Sequence, residues 1–190
     1  YGDAHERGHV AVPSIPGLYE RTILISGFSK GYAMTGWRVG YAAAPKPILD
    51  QMYKAHQYVV MSAPTVAQIG ALAGIREAQP DVERMRRAYD DRRRLIVDGL
   101  NAAGLPTFEP EGAFYAFPDI TSTGLSSEDF AQRLLQEEHV ACVPGSAFGP
   151  SGEGYLRCSY ATAIEQVEEA VKRITRFADK VRGEEAGTPS

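Results

Sequence analysis

The chain has 190 residues, 44% of them hydrophobic and 23% charged, which is enough for one compact domain or two small ones and excludes a fibrous or wholly disordered protein. A net charge of −4, from 20 basic and 24 acidic residues with no basic domain, argues against a nucleic-acid partner. No apolar run reaches the roughly 20 residues that span a bilayer, so no membrane partner is expected.

Two cysteines, Cys142 and Cys158, make no disulfide framework. Both stand in apolar runs and read as small, buried, inert thiols packed in the core of a cytoplasmic chain. The histidines His5, His9, His56 and His139 lack metal-ligand spacing, and no metal site is expected. A sequence that starts at Tyr1 without an initiator Met reads as part of a longer polypeptide.

Residues 1–20 read as loop, punctuated by Gly2, Gly8, Pro13, Pro16 and Gly17. Residues 22–26 predict a short buried strand, 27–31 a turn, and 39–44 a second strand ended by Pro45-Lys46-Pro47. Helices are predicted over 46–58 and 64–77, the latter with Pro64 in its first turn. A long helix over 81–103 starts at Pro80-Asp81 and stops at Gly104. Met85, Tyr89, Leu95, Ile96 and Leu100 form its apolar stripe. Its arginine-rich stretch 84–94 is interleaved with acidic residues and reads as a solvated face.

After Gly104, strands are predicted at 107–108 and 113–117 around the turn Pro110-Glu111-Gly112. A helix capped by Ser126 or Ser127 runs to Glu138, with Glu128 and Asp129 in its first turn. Strands follow at 140–143 and 155–160. An amphipathic helix over 163–181 turns Ile164, Val167, Ala170, Val171, Ile174 and Phe177 inward. Residues 1–80 thus give strand–turn–strand–helix–helix. The part beyond the long helix gives β-β-α-β-β-α, a small open α+β layer with helices on one face. The polar tail is expected to fray.

Two basic residues carry chemistry. Lys30 follows the first apolar strand, and Arg38 stands eight positions later. A lysine at the carboxyl end of a strand faces the crevice where α/β folds bind ligands. Partial desolvation there would lower its pKa and make it nucleophilic. Gly27, Ser29 and Gly31 leave room for a bulky group, and the planar fork of Arg38 suits a phosphate. An amine beside a phosphate-binding guanidinium is what a pyridoxal phosphate site requires. On spacing alone, a surface lysine in a loop remains the alternative. Arg157 stands isolated in an apolar strand. It either waits for a carboxylate ligand or pairs with Glu153 or Glu165. Gly145, Gly149, Gly152 and Gly154 around the preceding loop would let that loop close over a ligand.

Residues 27–40, Gly-Phe-Ser-Lys-Gly-Tyr-Ala-Met-Thr-Gly-Trp-Arg-Val-Gly, resemble the pyridoxal phosphate attachment signature of class I/II aminotransferases (fold type I). Residues 110–117, 143–149 and 155–161 resemble later landmarks of that family, so the likeness covers most of the chain. It implies an α/β fold class: residues 1–80 as the end of the large cofactor-binding α/β domain, 81–182 as linking helix and small α+β domain, and 183–190 as a disordered tail. It implies that Lys30 forms the internal aldimine, that Arg38 holds the cofactor phosphate, and that Gly27 and Ser29 line the same pocket. Some members carry a phosphate-binding serine at the position of Gly27, which leaves Ser26 or Ser29 as substitutes. Arg157 resembles the arginine that grips the substrate α-carboxylate.

The resemblance further implies a transaminase acting on an amino acid and a 2-oxo acid, as a homodimer; residues 62–65 resemble a loop that approaches the partner's site, with a simple helix cap as the alternative. Tyr32 and Tyr160 read as packing residues more than pocket residues. The ring-stacking aromatic, the acid on the pyridine nitrogen and the tyrosine on the ring oxygen belong to a preceding half. Tyr1 stands too close to Lys30 in sequence to be that tyrosine. The chain alone is therefore expected to be inactive. A carbon–sulfur lyase of the same fold, and the effector domain of an aminotransferase-like transcription regulator, are the alternatives.

Overall fold

The computed structural model describes residues 1–186. The chain divides into two compact units, Asp3–Met85 and a second made of Tyr1–Gly2 with the chain from Arg86 onward. The boundary falls inside one long helix.

In the first unit, residues expected to be loop include a short helix α1 (Gly2–Arg7) and two single 3₁₀ turns. Strands β1 (Leu24–Gly27) and β2 (Gly40–Ala43) pair antiparallel, with Leu24 opposite Ala43 and Gly27 opposite Gly40. The strand expected to be buried is not: Ile25 is 75% exposed. Only β2 pairs with β1 among the described residues, and of its four residues only Leu24 is half-buried. Helices α2 (Lys46–Val59), α3 (Thr65–Glu77) and α4 (Gln79–Ala102) follow. Pro64 caps α3 rather than entering its first turn. The core of this unit is small: Phe28, Met34, Val39, Ala67 and Ala71, with Tyr32 and Ala63 against it.

In the second unit, β3 (Tyr115–Ala116), α5 (Ser127–Glu138), β4 (Val143–Pro144), β5 (Leu156–Ser159) and α6 (Ile164–Ala186) follow the end of α4. The sheet order is β3-β5-β4, antiparallel throughout. Three expected strands shrink: 113–117 keeps only β3, 107–108 keeps a single bridge, and 140–143 keeps only its last residue in β4. Thr107 makes only an isolated bridge to Pro118, because its N–H is taken by the Asn101 side chain at the end of α4. Residues 140–142 are drawn off the ladder because His139, left-handed at φ 57°, and Val140 close the end of α5 onto Leu134. The tail expected to be disordered continues α6 through Ala186, and residues 187–190 lie outside the described residues.

Leu100, Leu105, Ile120, Phe130, Leu134, Leu156, Tyr160, Ile174, Phe177 and Val181 form the main core. Phe130 and Phe177 meet edge to face, with centroids 4.9 Å apart, and so lock α5 to α6. Gly104, at φ 70°, ends α4 as expected. Ser126 caps α5, its Oγ accepting from the Asp129 N–H at 3.1 Å.

Along 84–94, Arg84, Arg87, Asp91 and Arg94 are exposed as expected, but Arg93 is 3% exposed. Its guanidinium donates to Asp90 at 2.8 Å and to Glu109, and lies over the Tyr1 ring. A buried guanidinium must be paired, and breaking the pair costs more than forming it gains. Burial pushes the Asp90 carboxyl up, but the hydrogen bond and charge of Arg93, with Arg94 behind it, outweigh that and hold it below its ordinary value. Its contribution to stability is therefore fully present above the unfolded carboxyl value of about 3.9 and is lost as pH falls through the lower folded value. Urea unfolding followed from neutral to acid pH should show a steeper loss for the native chain than for Asp90→Asn; equal slopes would remove the pair from the acid response.

Candidate active site

The Lys30 segment joins β1 to β2 and is held by its own backbone. The Phe28 N–H donates to the Val39 carbonyl at 3.4 Å, and the Phe28 carbonyl accepts from Tyr32 and Met34, each at 3.3 Å. The Thr35 hydroxyl donates to the Ser29 carbonyl at 3.0 Å. Gly27 and Gly40 face each other where the strands meet. A Cβ on Gly40 would lie 2.9 Å from the Ser26 carbonyl oxygen, and one on Gly27 would lie 3.3 Å from that of Val39. A serine at position 27 would therefore crowd the hairpin, which gives Gly27 a backbone reason for being there.

Alternation around the turn then sorts the side chains. Phe28, Met34 and Val39 are buried. Lys30 and Arg38 are exposed, and Ser29 is half-buried. The desolvation expected at Lys30 is not supplied by the described residues. Arg38 is left-handed, at φ 53° and ψ 50°, a region that residues other than glycine rarely occupy. Its Nη1 donates to the Thr35 carbonyl at 2.9 Å. Arg38 lines an open cleft of about 450 Å³ with Ala33, Gly36, Trp37, Pro64, Val66 and Ala67. Lys30, Ser29 and Gly27 are not among the residues lining it.

The turn rests on α3 through the helix's small residues. A Cβ on Gly70 would lie 2.8 Å from the Trp37 ring, and one on Gly74 would lie 3.3 Å from the Tyr32 ring. Tyr32 also packs on Phe28, with centroids 5.3 Å apart. It is a packing residue, as the sequence reading favoured.

Arg157 belongs to the second unit and sits on the central strand of its sheet, opposite Val143. It is half-buried. Its guanidinium carbon lies 4.5 Å from the Tyr115 ring centre and 4.7 Å from that of Phe148. Among the described residues, no carboxylate pairs with it. Glu153, one of the two acids considered for that role, instead accepts from the Ser127 N–H at 2.8 Å. Sequence reasoning missed Tyr115 and Phe148. The signal was present in the aromatic residues of 113–117 and 145–149, but ring stacking on a guanidinium requires knowledge of the register.

The loop after β4 differs from the expected closing loop. A Cβ on Gly145 would lie 2.0 Å from the Gly152 carbonyl oxygen, and one on Gly152 equally close to that of Gly145. The Gly145 N–H donates to Tyr155 at 2.8 Å, and Ser127 Oγ accepts from the Gly154 N–H at 2.9 Å. These two glycines bring two backbones into contact, which gives both a packing reason for being there. Tyr160 is buried, and its hydroxyl donates to the Ala113 carbonyl at 3.3 Å. The Tyr1 hydroxyl donates to the same carbonyl. Among the described residues, no group of three or more His, Cys, Asp or Glu gathers to hold a metal, and no helix is long and apolar enough to cross a membrane.

Residues 3–174 match the family model for aminotransferase class I and II. The chain belongs to that family. It is 55% identical to the putative aminotransferase YugH of Bacillus subtilis, over 93% of this chain and 46% of that protein. It is 49% identical to an aspartate aminotransferase of Pyrococcus abyssi, over 88% of this chain and 44% of that protein. The solved aromatic aminotransferase of Pyrococcus horikoshii superposes with a TM-score of 0.90 at 47% identity, covering 95% of this chain and 48% of that one. The chain thus spans about half the length of the curated relatives it matches, and its mixed α/β architecture is that of part of these enzymes.

Trp37 is the only tryptophan of the 190 residues, so its fluorescence reports the turn directly. Gly70→Leu should lift the ring from α3, raise its quenching by iodide, and destabilise this unit by about 1–3 kcal/mol, as overpacking does. Unchanged emission would mean that the ring does not rest on the helix.

Proposed function

We propose that the protein is a pyridoxal phosphate-dependent transaminase, with Lys30 as its catalytic amine, Arg38 as its phosphate ligand and Arg157 as its substrate carboxylate ligand. The observation that carries this reading is the turn 28–39. It buries three apolar side chains and leaves an amine and a guanidinium exposed on the same short loop, the guanidinium on a strained backbone. The donor set fits the cofactor: an amine for its aldehyde, a guanidinium for its phosphate, and the Ser26 and Ser29 hydroxyls nearby in the chain. A phosphate on Arg38 would have the cleft beside Trp37 and Gly36 to occupy.

The cofactor supplies an electron sink for the charge that develops when the substrate α-proton leaves. The chain supplies the rest. Lys30 Nζ would be the amine that holds the cofactor in place, and when free it would be the base that takes the proton from the substrate Cα and carries it as the acid for the return transfer. Arg38 anchors the phosphate through the N–H groups that Thr35 leaves unused. Gly27 and Ser29 keep the approach to Lys30 narrow in side-chain bulk. Arg157 offers its N–H edge to the α-carboxylate while Tyr115 and Phe148 hold its faces. That carboxylate is common to all amino-acid substrates, so Arg157 sets orientation and leaves side-chain choice to other residues.

A cytoplasmic homodimer is part of the proposal. Its support is the run before residues 62–65, where Tyr58 is 94%, Val59 80% and Met61 79% exposed. Large apolar side chains that exposed mark an interaction surface.

Two experiments on the full-length enzyme test the reading. Borohydride reduction followed by peptide mapping should place the cofactor label on Lys30, and Lys30→Ala should abolish transamination; a label on any other residue overturns the assignment. Arg157→Ala should raise KM for the amino acid about 100-fold, the worth of a paired charge-assisted contact at about 2.7 kcal/mol, with a smaller loss in kcat. Phe148→Leu, which removes one supporting ring, should raise KM about 5-fold.

A further inference from the structure

We propose that Cys142 and Cys158 are a redox-active dithiol that closes reversibly into an intramolecular disulfide when a peroxide oxidises it. The two sulfurs lie 3.4 Å apart. Cys142 is the residue just before β4 and Cys158 lies in β5, each next to a member of the Val143–Arg157 pair that ties the two strands together. Bringing the sulfurs from 3.4 Å to the about 2.05 Å of a disulfide therefore asks for a small side-chain movement.

The two thiols are not equivalent. Cys158 is 3% exposed and belongs to the main core, whereas Cys142 packs against that core half-buried. One S–H lies between them. Donation from Cys158 favours the Cys142 thiolate and draws the Cys142 thiol below its ordinary value against the opposing effect of burial. The same hydrogen bond, with burial added, pushes the Cys158 thiol well up. A half-buried thiol that ionises first and a fully buried one that follows is the division of labour of a nucleophilic and a resolving cysteine.

The step balances. The Cys142 thiolate attacks one peroxide oxygen, the O–O bond breaks, and with one proton the products are a sulfenic acid and water. Cys158 sulfur then displaces hydroxide from the Cys142 sulfur, and with the Cys158 proton this leaves as a second water. Two thiols have lost two electrons, and the peroxide has gained them. Such bonds in reducing compartments are transient and regulatory in character. This one would fasten the approach to β4 onto β5 immediately beside Arg157. The proposal does not depend on the role assigned to Arg157.

The test uses the purified full-length protein, reduced, treated with hydrogen peroxide near neutral pH, unfolded in N-ethylmaleimide and digested for mass spectrometry. The expected product is a Cys142–Cys158 linked peptide pair, lighter by two hydrogens and released by dithiothreitol. Cys158→Ser should accumulate a sulfenic acid at Cys142 that dimedone traps, and Cys142→Ser should leave Cys158 unoxidised. Recovery of both cysteines as maleimide adducts, or of disulfides between chains only, overturns the proposal. Since a polar residue in the core could disturb folding, Cys142→Ala provides a second reading. Oxidation should raise the urea midpoint of the native protein and leave that of the variant unmoved; an equal rise in both would also overturn it.

Discussion

The candidate site depends on one packing contact, the seating of Phe28, Met34 and Val39 against Ala67 and Ala71 of α3. Burial of such side chains contributes about 1.5–3 kcal/mol each. Within the same turn, Ala33 and Arg38 hold left-handed backbones, which cost of order 1–3 kcal/mol each. The burial outweighs the strain, so the turn can keep a conformation that its residues would not choose alone. That conformation leaves Lys30 and Arg38 outside the apolar seat. The glycines of α3 serve the same contact by admitting the Trp37 and Tyr32 rings close to the helix backbone.

Arg157 is kept in place by a different means. A carboxylate partner would satisfy the guanidinium and occupy its N–H edge. Two aromatic rings within 5 Å instead use its faces, where the attraction is electrostatic and directed at the ring quadrupole. The edge stays available for a planar anion. Arg93 shows the contrasting solution in the same unit. It is buried, its donors are taken by Asp90 and Glu109, and it acts as a structural tie. Sequence reasoning grouped Arg93 with a solvated face and considered a structural ion pair for Arg157. The structure buries the first and shows no described carboxylate on the second, because what distinguishes two arginines is what reaches them from elsewhere in the chain.

The segment between β4 and β5 makes the same point about glycine. Four glycines in ten residues suggest freedom of movement. Two of them are instead required by contact, since side chains there would occupy the space of the opposing carbonyl. Hydrogen bonds from Gly145 and Gly154 then fix the loop on Tyr155 and Ser127. The narrowness of that loop is also what carries the chain back so that Cys142 meets Cys158.

From the sequence alone came the five long helices to within about five residues, the order of the elements after residue 20, the family through residues 27–40, and Lys30, Arg38 and Arg157 as candidates. These are local properties: hydrophobic period, capping residues, and a contiguous motif whose meaning does not need the rest of the chain. Tertiary structure alone decided that the strand before Lys30 is exposed, that the strands at 107–108 and 140–142 give way to helix-end hydrogen bonds, that Arg93 is buried, and that Arg157 lies against two rings with no carboxylate of the described residues paired to it. Each of those outcomes turns on which residues distant in sequence arrive at the same place, and pairwise contact of that kind leaves no period in the chain from which it could be read.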